Sequence, residues 1–370
     1  MRTIVQITPY YPPHLGGLER VVEHLAAQLG RRHPVRVVTT TLGAAGAPRR
    51  GVQAGVAVRR HRAREVAHTA IAPGMALELL RLPREAVLHL HCAHALLPEL
   101  VALTAVLRRQ RYLVHFHLDV DASGRLGRLL PLYKKHVFGR VLRAAAGVIV
   151  LTESQAAFVR DAYRIPPERV HVVPNGVGAD YFMPIRDGAG RDGAATRPLE
   201  LLFVGRLSPQ KNVGLLLEAL GQVRGPVRLR VVGDGEEREA LTARAARLGI
   251  ADRVEFTGGL LGGDLLDAYR RADVFVLPSQ KEGMALVALE AMAAALPIVA
   301  TDVPGNHELL DGVGVLVTPT APALAEALDA VAADPERRTE LARRSAATAA
   351  GHSWDAVARR VEQVYAEVFP

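Results

Sequence analysis

The sequence predicts an α/β protein with two doubly wound, parallel-sheet domains, and three observations support this. Apolar runs typical of strands alternate with helical stretches along the chain, which is the order that produces parallel sheets. The length of 370 residues suits two domains of about 150–200 residues each. Residues 183–198 contain three glycines and no apolar periodicity. We therefore expect a linker and hinge there, between domains at 1–182 and 199–353.

In the first half, apolar runs predict strands, and stretches with helical periodicity predict the helices between them. The predicted strands are residues 3–8, 35–40, 56–60, 87–91, 112–119 and 147–152. The predicted helices are residues 18–29, 77–82, 96–109 and 154–163. Ligands bind beyond the C-terminal ends of strands in such sheets. His117 and Asp119 follow such an end, but His115 shares a strand face with His117, so a structural role is an alternative.

In the second half, the same patterns continue, and one stretch is especially clear. The predicted strands are residues 199–205, 229–235, 254–258, 274–278, 298–300 and 313–317. The predicted helices are residues 213–220, 286–295, 323–332, 336–349 and 354–369. The helix at 286–295 lacks Gly and Pro and lies between two buried strands, with Gly283 at its entrance. This stretch is therefore predicted to fold as strand, tight turn, helix and strand.

Two carboxylates mark this stretch, Glu282 in the turn and Glu290 in the helix. Eight positions along a helix rise about 12 Å, so both acids can face one crevice from separate points. Between them lie the backbone N–H groups of a helix start, which favour phosphate. These groups belong to Gly283, Met284, Ala285 and Leu286. A nucleotide-sugar presents a matching order of sugar hydroxyls, diphosphate and ribose. The alternative is a surface loop acid and a solvated helix residue.

Other candidate phosphate ligands lie at two strand-to-helix turns. Arg206 and Lys211 flank the turn after strand 199–205, where Arg suits bidentate phosphate contact and Lys supplies a compact charge. Gly16 and Gly17 open helix 18–29 and are candidates for a second anion site. Solvated surface cations and ordinary glycine punctuation are the alternatives.

The central stretch resembles the signature of the retaining glycosyltransferases of family 4, the glycogen-synthase-like enzymes with the GT-B fold. Their pattern has two glutamates separated by seven residues, and here it is Glu282-Gly-Met-Ala-Leu-Val-Ala-Leu-Glu290. Met284-Ala285 replaces the usual Phe-Gly, and Ala295 replaces the usual Gly. The resemblance implies two Rossmann-like domains facing a central cleft, with residues 354–370 returning to the first domain.

The resemblance also implies roles for individual residues. Glu282 would orient the donor sugar and Glu290 would hold the ribose. His117 would reach the donor sugar, with Asp119 close by. The residues implied to contact the donor diphosphate are Gly16, Gly17, Arg206, Lys211 and the helix start at 283–286. The residues implied to lie by the nucleotide base are Gly258 and Leu260.

The implied function is transfer of a sugar, with retention, from a nucleoside diphosphate sugar to an acceptor. UDP is favoured over GDP, and the acceptor class is a small molecule, a glycolipid or a glycan. No metal cofactor is expected, because the histidine pairs His89/His91 and His115/His117 lack carboxylates at ligand spacing. The alternatives are a pseudo-glycosyltransferase, a UDP-sugar epimerase and a non-catalytic module that binds nucleotides or anionic surfaces.

Charge and cysteine content indicate compartment and partners. Residues 1–180 contain 25 basic and 12 acidic residues, and we interpret this excess as solvated surface, with no nucleic-acid partner expected. Residues 125–143 are basic and partly amphipathic, and some family members use this side to bind membranes, so peripheral contact with an anionic membrane is an alternative. The single cysteine, Cys92, is predicted to be a core thiol in a reducing compartment. No apolar run reaches about 18 residues, so we expect a cytoplasmic protein.

Overall fold

The computed structural model describes residues 2–14, 16–66, 69–92, 96–118, 130–186 and 197–369. The chain divides into two compact units. The first unit comprises Met1–Asn175 with Trp354–Pro370, and the second comprises Gly176–Ser353. Residues 176–182 pack with the second unit, although the sequence placed them in the first domain. The linker at 183–198 stays a prediction, because residues 187–196 lie outside the described residues.

The first unit contains an eight-stranded sheet and a two-stranded hairpin. Its strands are β1 (Ile4–Ile7), β2 (Val35–Thr40), β3 (Arg50–Gln53), β4 (Val56–His61), β5 (Arg64–Val66), β6 (Thr69–Ile71), β7 (Val87–Cys92), β8 (Tyr112–Phe116), β9 (Gly147–Val150) and β10 (Val170–Val172). Its helices before the linker are α1 (Gly17–Gly30), α2 (Pro73–Arg81), α3 (Leu97–Arg108), α4 (Leu130–Tyr133), α5 (Gly139–Ala144) and α6 (Glu153–Tyr163). A π-helical turn at Lys134–Phe138 joins α4 to α5.

The order of the large sheet is β10-β9-β8-β7-β1-β2-β4-β3. All neighbours are parallel except β3 and β4. Strands β1, β7, β8 and β9 are buried along their whole length, as expected for a parallel sheet covered on both faces. Cys92 is buried among these strands, and burial raises its pKa. It is therefore a core thiol, as predicted.

The second unit contains one six-stranded, all-parallel sheet in the order β13-β12-β11-β14-β15-β16. The strands are β11 (Leu199–Val204), β12 (Val227–Val232), β13 (Val254–Gly258), β14 (Val274–Leu277), β15 (Ile298–Thr301) and β16 (Val315–Val317). The helices are α7 (Val213–Leu220), α8 (Arg238–Arg247), α9 (Gly262–Arg271), α10 (Leu286–Ala293), α11 (Pro304–Leu310), α12 (Ala321–Ala333) and α13 (Pro335–Ala349). The predicted α/β class with two doubly wound sheets is thus confirmed.

The last helix, α14 (Trp354–Val368), packs on the first unit. Arg32, just after α1, pairs with Asp355 and Glu362 of α14 at 2.9 Å each. Trp354 stacks on His24 of α1 with ring centroids 5.2 Å apart. The hydroxyl of Tyr365 forms hydrogen bonds with the buried side chains of Gln6 in β1 and His89 in β7. No described helix combines the length and apolarity that a bilayer span requires.

Helix α10 ends in a Schellman motif whose left-handed residue is not glycine. The N–H of Leu296 donates to the carbonyl of Ala291, and the N–H of Ala295 donates to that of Met292, both at 3.0 Å. Ala295 has φ of 53°, a conformation that costs about 1–2 kcal/mol for a residue with a Cβ. The sequence departs here from the family pattern, which has glycine at this position.

Replacing Ala295 by glycine should therefore raise the free energy of unfolding by about 0.5–1 kcal/mol, since glycine removes the strain at this φ. The matched control is Ala294→Gly, because Ala294 has φ of −74°. The free energy of unfolding of that variant should fall by about 0.5–1 kcal/mol, because glycine gives the unfolded chain more conformational freedom. Urea denaturation of both variants measures the difference, and equal destabilisation by both would contradict the assignment of strain to Ala295.

Candidate functional site

The second unit brings two turns together at the point where its strand order reverses. Strand β11 lies between β12 and β14, so the turns that follow β11 and β14 meet at one edge of the sheet. The N–H of Gln280 donates to the carbonyl of Gln210, and Gln210 Nε2 donates to the carbonyl of Lys281, both at 2.8 Å. These bonds fix the relative position of the turns that carry the predicted diphosphate and sugar ligands.

Lys211 and Glu282 form an ion pair across these turns. Lys211 Nζ lies 2.7 Å from Glu282 Oε1, and the side chains are 20% and 6% exposed. Ser279 Oγ donates to the same carboxylate oxygen at 2.6 Å, and the Thr301 hydroxyl donates to the Ser279 carbonyl at 2.5 Å. Glu282 is therefore a fixed, nearly buried carboxylate and not a surface loop acid. An ammonium has three donors, so Lys211 keeps two for a ligand. We call Lys211, Ser279, Glu282 and the start of α10 the switch-point site.

The start of α10 completes the switch-point site. Ala285 precedes the helix in an extended conformation, with no side-chain cap, and the first four N–H groups of a helix have no intrahelical acceptor. Ala285 belongs to the hydrophobic core of the second unit, so the methyl group that replaces the family's glycine is accommodated there. A Cβ on Gly305 would collide with the carbonyls of Glu282 and Gly283. Gly305 was not among the predicted site residues, although the Pro304-Gly305 pair after β15 marks a turn there.

Glu290 is a buried residue of α10. It is 3% exposed, which excludes the alternative of a solvated helix residue. Tyr269 on α9 donates its hydroxyl to Glu290 Oε2 at 2.8 Å. Tyr269 was not predicted as a site residue, because nothing in the local pattern around α9 indicates a carboxylate partner. The ribose contact of Glu290 remains a prediction.

Arg206 is placed differently from Lys211. Its side chain is 74% exposed and pairs with Glu236, 52% exposed, at 3.2 Å. Exposed pairs of this kind stabilise a fold by about 1 kcal/mol or less, so the guanidinium can exchange Glu236 for another anion at low cost. A Cβ on Gly233, where φ is 139°, would collide with the Gly205 carbonyl. The missing side chain at Gly233 thus allows the turn before Arg206 to pack closely.

The two residues predicted to lie by the nucleotide base end strand β13 and begin the loop beyond it. Gly258 has φ of 77°, and its carbonyl accepts the N–H of Gly233 at 2.8 Å. Leu260 is partly buried against the core of the second unit. A base contact from either residue remains a prediction.

The first unit holds a stack of four histidines, which we call the histidine column. They are His89, His91, His115 and His117. Adjacent rings stack with centroids 4.2–5.4 Å apart. The alternating strand pattern predicted which strand faces these residues share. It did not predict that strands β7 and β8 bring all four rings together.

A chain of hydrogen bonds connects the histidine column to α14. Tyr365 Oη lies 2.6 Å from His89 Nδ1 and accepts from Gln6 Nε2 at 3.0 Å. Gln6 Oε1 lies 2.6 Å from His91 Nε2, and His91 Nδ1 lies 2.9 Å from His117 Nε2. Because Gln6 Oε1 can only accept, His91 carries its proton on Nε2 and donates it to Gln6. His91 Nδ1 then accepts a hydrogen bond from the N–H at His117 Nε2. This arrangement leaves a lone pair at Nδ1 of His117. Asp119, its predicted neighbour, lies outside the described residues.

The histidine column is a poor metal site despite the proximity of its nitrogens. Ligand atoms of His89, His91 and His115 all lie within 4.8 Å of one another. A metal lies in the plane of each imidazole that binds it, at about 2.0–2.1 Å from nitrogen. The rings are stacked with interplanar angles of 11–29°, so their lone pairs lie in nearly parallel planes and do not converge. Both nitrogens of His91 are also engaged in the hydrogen-bond chain.

The histidine column should make the fold sensitive to acid. Burial lowers the pKa of His89 and of His117 to about 3, and lowers the pKa of His91 and His115 well below the ordinary range. The unfolded chain protonates histidine below a pH of about 6.5, whereas the folded chain stays neutral. The unfolded state thus binds more protons between pH 6.5 and 3. Unfolding should become easier there by about 1.4 kcal/mol per pH unit for each buried histidine.

His115→Leu tests this prediction, because neither His115 nitrogen has a hydrogen-bond partner among the described residues. The variant should fold, and its melting temperature should fall less than that of the wild type between pH 7 and pH 5. The exposed His136 provides the control, since His136→Leu should leave the pH dependence unchanged. Identical pH slopes for wild type and His115→Leu would contradict the prediction.

The glycine loop before α1 lies against a carboxylate side chain of the protein itself, that of Glu19. The Glu19 carboxylate lies so close to Gly16 that a Cβ on Gly16 would overlap it, whereas the space beside Gly17 is open. Glu19 is buried, and its Oε1 lies 2.9 Å from His14 Nδ1. A side chain at position 16 would therefore have to displace Glu19, which explains why glycine is needed there. Contact from either glycine remains a prediction.

Solved structures resemble the chain along its full length. Sucrose-phosphate synthase from Thermosynechococcus elongatus has a TM-score of 0.77 at 23% identity, covering 100% of this chain and 99% of that chain. Anabaena Alr3699/HepE in complex with UDP-glucose has a TM-score of 0.79 at 22% identity, covering 99% and 100%. At these identities the likeness shows the fold, which is the GT-B class of two Rossmann-like, parallel-sheet domains.

Curated relatives cover a smaller part of the chain. D-inositol 3-phosphate glycosyltransferase of Frankia alni is 37% identical over 247 residues, covering 61% of this chain and 60% of the relative. The protein of the same name from Geodermatophilus obscurus is 40% identical over 233 residues, covering 58% and 51%. The chain thus spans about half to three fifths of the length of the curated relatives it matches.

Family models match both halves of the chain. Residues 15–181 match the model described as Glycosyltransferase Family 4, and residues 190–348 match the model described as Glycosyl transferases group 1. The two matches together extend through both units and include the turns with Lys211 and Glu282. The chain therefore belongs to glycosyltransferase family 4.

Proposed function

We propose that the protein transfers a glycosyl group from a nucleoside diphosphate sugar to an acceptor hydroxyl, with retention at the anomeric carbon. One observation carries the proposal, the Lys211–Glu282 ion pair of 2.7 Å beside the uncapped start of α10 at the switch point. A cation and helix N–H groups suit a diphosphate, and the adjacent carboxylate suits sugar hydroxyls. UDP is the favoured nucleotide, because solved structures of similar fold include complexes with UDP and with UDP-glucose.

In the proposed reaction, the bond between the anomeric carbon and the diphosphate oxygen breaks as the acceptor oxygen bonds to that carbon on the same face. The leaving phosphate accepts the acceptor's proton, so no protein nucleophile is needed. Lys211 and the start of α10 stabilise the charge that develops on the diphosphate. Arg206 adds to this stabilisation when it leaves Glu236. Glu282 orients the sugar hydroxyls, and no metal cofactor takes part.

The remaining predicted ligands keep their proposed roles. Glu290 holds the ribose, and Gly258 and Leu260 lie by the base. Gly16 and Gly17 approach the diphosphate through backbone. The imidazole of His117 accepts a hydrogen bond from a hydroxyl of the donor sugar at Nδ1, because the hydrogen-bond chain to Tyr365 keeps its proton on Nε2. The relatives' names add a small polyol phosphate to the acceptors to be tested.

A ligand panel tests the proposed function. Thermal shifts with UDP, GDP, ADP and TDP identify the nucleotide, and mass spectrometry then follows sugar donors of that nucleotide. We expect nucleotide release together with a glycosylated product when an acceptor is supplied. Conversion of the donor without acceptor would instead indicate an epimerase. Absence of binding to all four nucleotides would contradict the proposal.

We also propose a cytoplasmic location with peripheral contact to an anionic membrane through the first unit. Apolar side chains of α3 and α4 are exposed, namely Leu103, Val106, Leu107 and Leu132. Lys135 and Arg140 are exposed beside α4. Apolar and basic side chains on one surface suit a membrane interface. Retention on anionic vesicles in a sedimentation assay is expected, and a protein that stays in the supernatant at low salt would contradict it.

A further inference from the structure

A pocket at the far edge of the first unit's sheet is lined almost entirely by basic residues. Its volume is 420 Å³, and the lining residues are Arg49, Arg50, Arg59, Arg60, His61 and Glu78. Arg50 begins β3 and Arg49 precedes it. The residues at 59–61 lie in the C-terminal half of β4, and Glu78 lies in α2. No residue of this pocket belongs to the switch-point site or to the histidine column.

The positive charge of this arginine pocket is only partly neutralised. Glu78 lies 3.4 Å from Arg59, 3.5 Å from Arg36 and 2.6 Å from His61 Nε2. One carboxylate thus serves two guanidinium groups and an imidazole. Neither Arg49 nor Arg50 forms an ion pair with a residue that the structure describes. The lining arginines therefore outnumber the one lining carboxylate, and that carboxylate is already shared by Arg59, Arg36 and His61.

One further observation indicates that this charge has a ligand. Arg50 lies directly opposite Arg59 in the antiparallel register of β3 and β4, and like charges at such positions destabilise a sheet. An anion bound between the two guanidinium groups would remove this repulsion. The side chain of Arg60 does not take part, because strand alternation places it on the opposite face of β4, where it is bonded to the carbonyls of Pro48 and Pro12 at 3.1 and 2.6 Å.

We propose that the arginine pocket binds a phosphomonoester group. A phosphomonoester has two negative charges and three acceptor oxygens, which match paired guanidinium groups through bidentate bonds. The group comes either from a soluble phosphorylated acceptor or from the headgroup of a phosphomonoester lipid. Its use as an acceptor site rests on the proposed function, whereas anion binding itself does not.

Titration calorimetry with inorganic phosphate tests the site in the full-length protein. The variant is Arg50→Gln with Arg59→Gln, which leaves the buried Arg60 in place. We expect the affinity for phosphate to fall at least tenfold. In phosphate-free buffer the variant should melt close to the wild type, because the lost repulsion across β3 and β4 offsets the lost ion pair between Arg59 and Glu78. Phosphate should then raise the melting temperature of the wild type more than that of the variant, in which only the donor site can still bind phosphate. Unchanged affinity in the double variant would overturn the site.

Two controls distinguish phosphate binding in the arginine pocket from a general effect of net charge and from binding at the donor site. Arg343→Gln removes an exposed arginine of the second unit and should leave phosphate affinity unchanged; an equal loss there would overturn the proposal. UDP affinity in the double variant should equal that of the wild type. If wild type and variant both fail to bind UDP while phosphate binding still depends on Arg50 and Arg59, the donor proposal fails and the anion site stands.

The source of the phosphate is tested in two arms. One arm titrates glycerol 3-phosphate, and the other measures retention on phosphatidylcholine vesicles that contain phosphatidic acid. Binding that is lost in the Arg50→Gln, Arg59→Gln variant supports the site and identifies the source as soluble or lipid. Absence of variant-sensitive binding in both arms would overturn the proposal.

Discussion

Replacing Lys211 by alanine is expected to reduce glycosyl transfer by about 10²–10³-fold, the loss typical when one preorganised charge contact to a developing anion is removed. The Lys211 ammonium is 2.7 Å from Glu282 and has two further donors for the diphosphate. UDP affinity should fall in the same variant. Initial rates with a UDP-sugar and calorimetry with UDP measure the two effects.

The structure offers controls for this variant. Arg343 is an exposed cation of the second unit, so Arg343→Ala should leave rate and UDP affinity unchanged. Lys211→Ala leaves Glu282 nearly buried without its cation, which destabilises the turn. The double variant with Glu282→Gln removes that unpaired charge. Full recovery of UDP binding in the double variant would contradict direct phosphate contact by Lys211.

Replacing Glu282 by glutamine is expected to reduce turnover at least about tenfold, a barrier increase near 1.4 kcal/mol. Glutamine has the same size, and its amide oxygen can still accept the Ser279 hydroxyl, so the turn should be preserved. It lacks the charge that makes a carboxylate a strong acceptor for sugar hydroxyls. UDP affinity should not fall, because the amide leaves the Lys211 ammonium free for phosphate.

Glu236→Gln is the matched control for this change. Glu236 pairs with Arg206 at the protein surface, so its neutral variant removes one carboxylate without touching the switch-point site. Turnover should be unchanged or slightly higher, because Arg206 no longer needs to leave an ion pair. A Glu282→Gln enzyme as active as Glu236→Gln would contradict the role of Glu282 in orienting the sugar.

The parallel sheets could be predicted because their strands are buried on both faces and form continuous apolar runs such as Val274–Leu277. Three helices of the second unit were not predicted. Helix α8 has a single large apolar residue, Leu241, α9 begins with two glycines, and α11 begins with Pro304-Gly305. These features obscure helical periodicity. The edge strand β3 was missed because only one side of it is paired and none of its four residues is buried.

The resemblance indicated Lys211 and Glu282 as site residues but could not show that they form an ion pair with each other. Their ion pair depends on two turns 71 positions apart in the chain. The Tyr269–Glu290 bond and the link from Tyr365 to His89 span 21 and 276 positions. Such contacts follow from the crossover connections of the two sheets and from the return of α14. No local pattern of residue types contains that information.

A crystal of the protein soaked with UDP tests the central claim most directly. We expect the diphosphate at the start of α10, with phosphate oxygens about 2.7–3.1 Å from Lys211 Nζ and from backbone N–H groups of residues 283–286. Arg206 should then have left Glu236. A diphosphate bound elsewhere, or a Lys211 ammonium that contacts only Glu282 in the presence of saturating UDP, would contradict the proposed site.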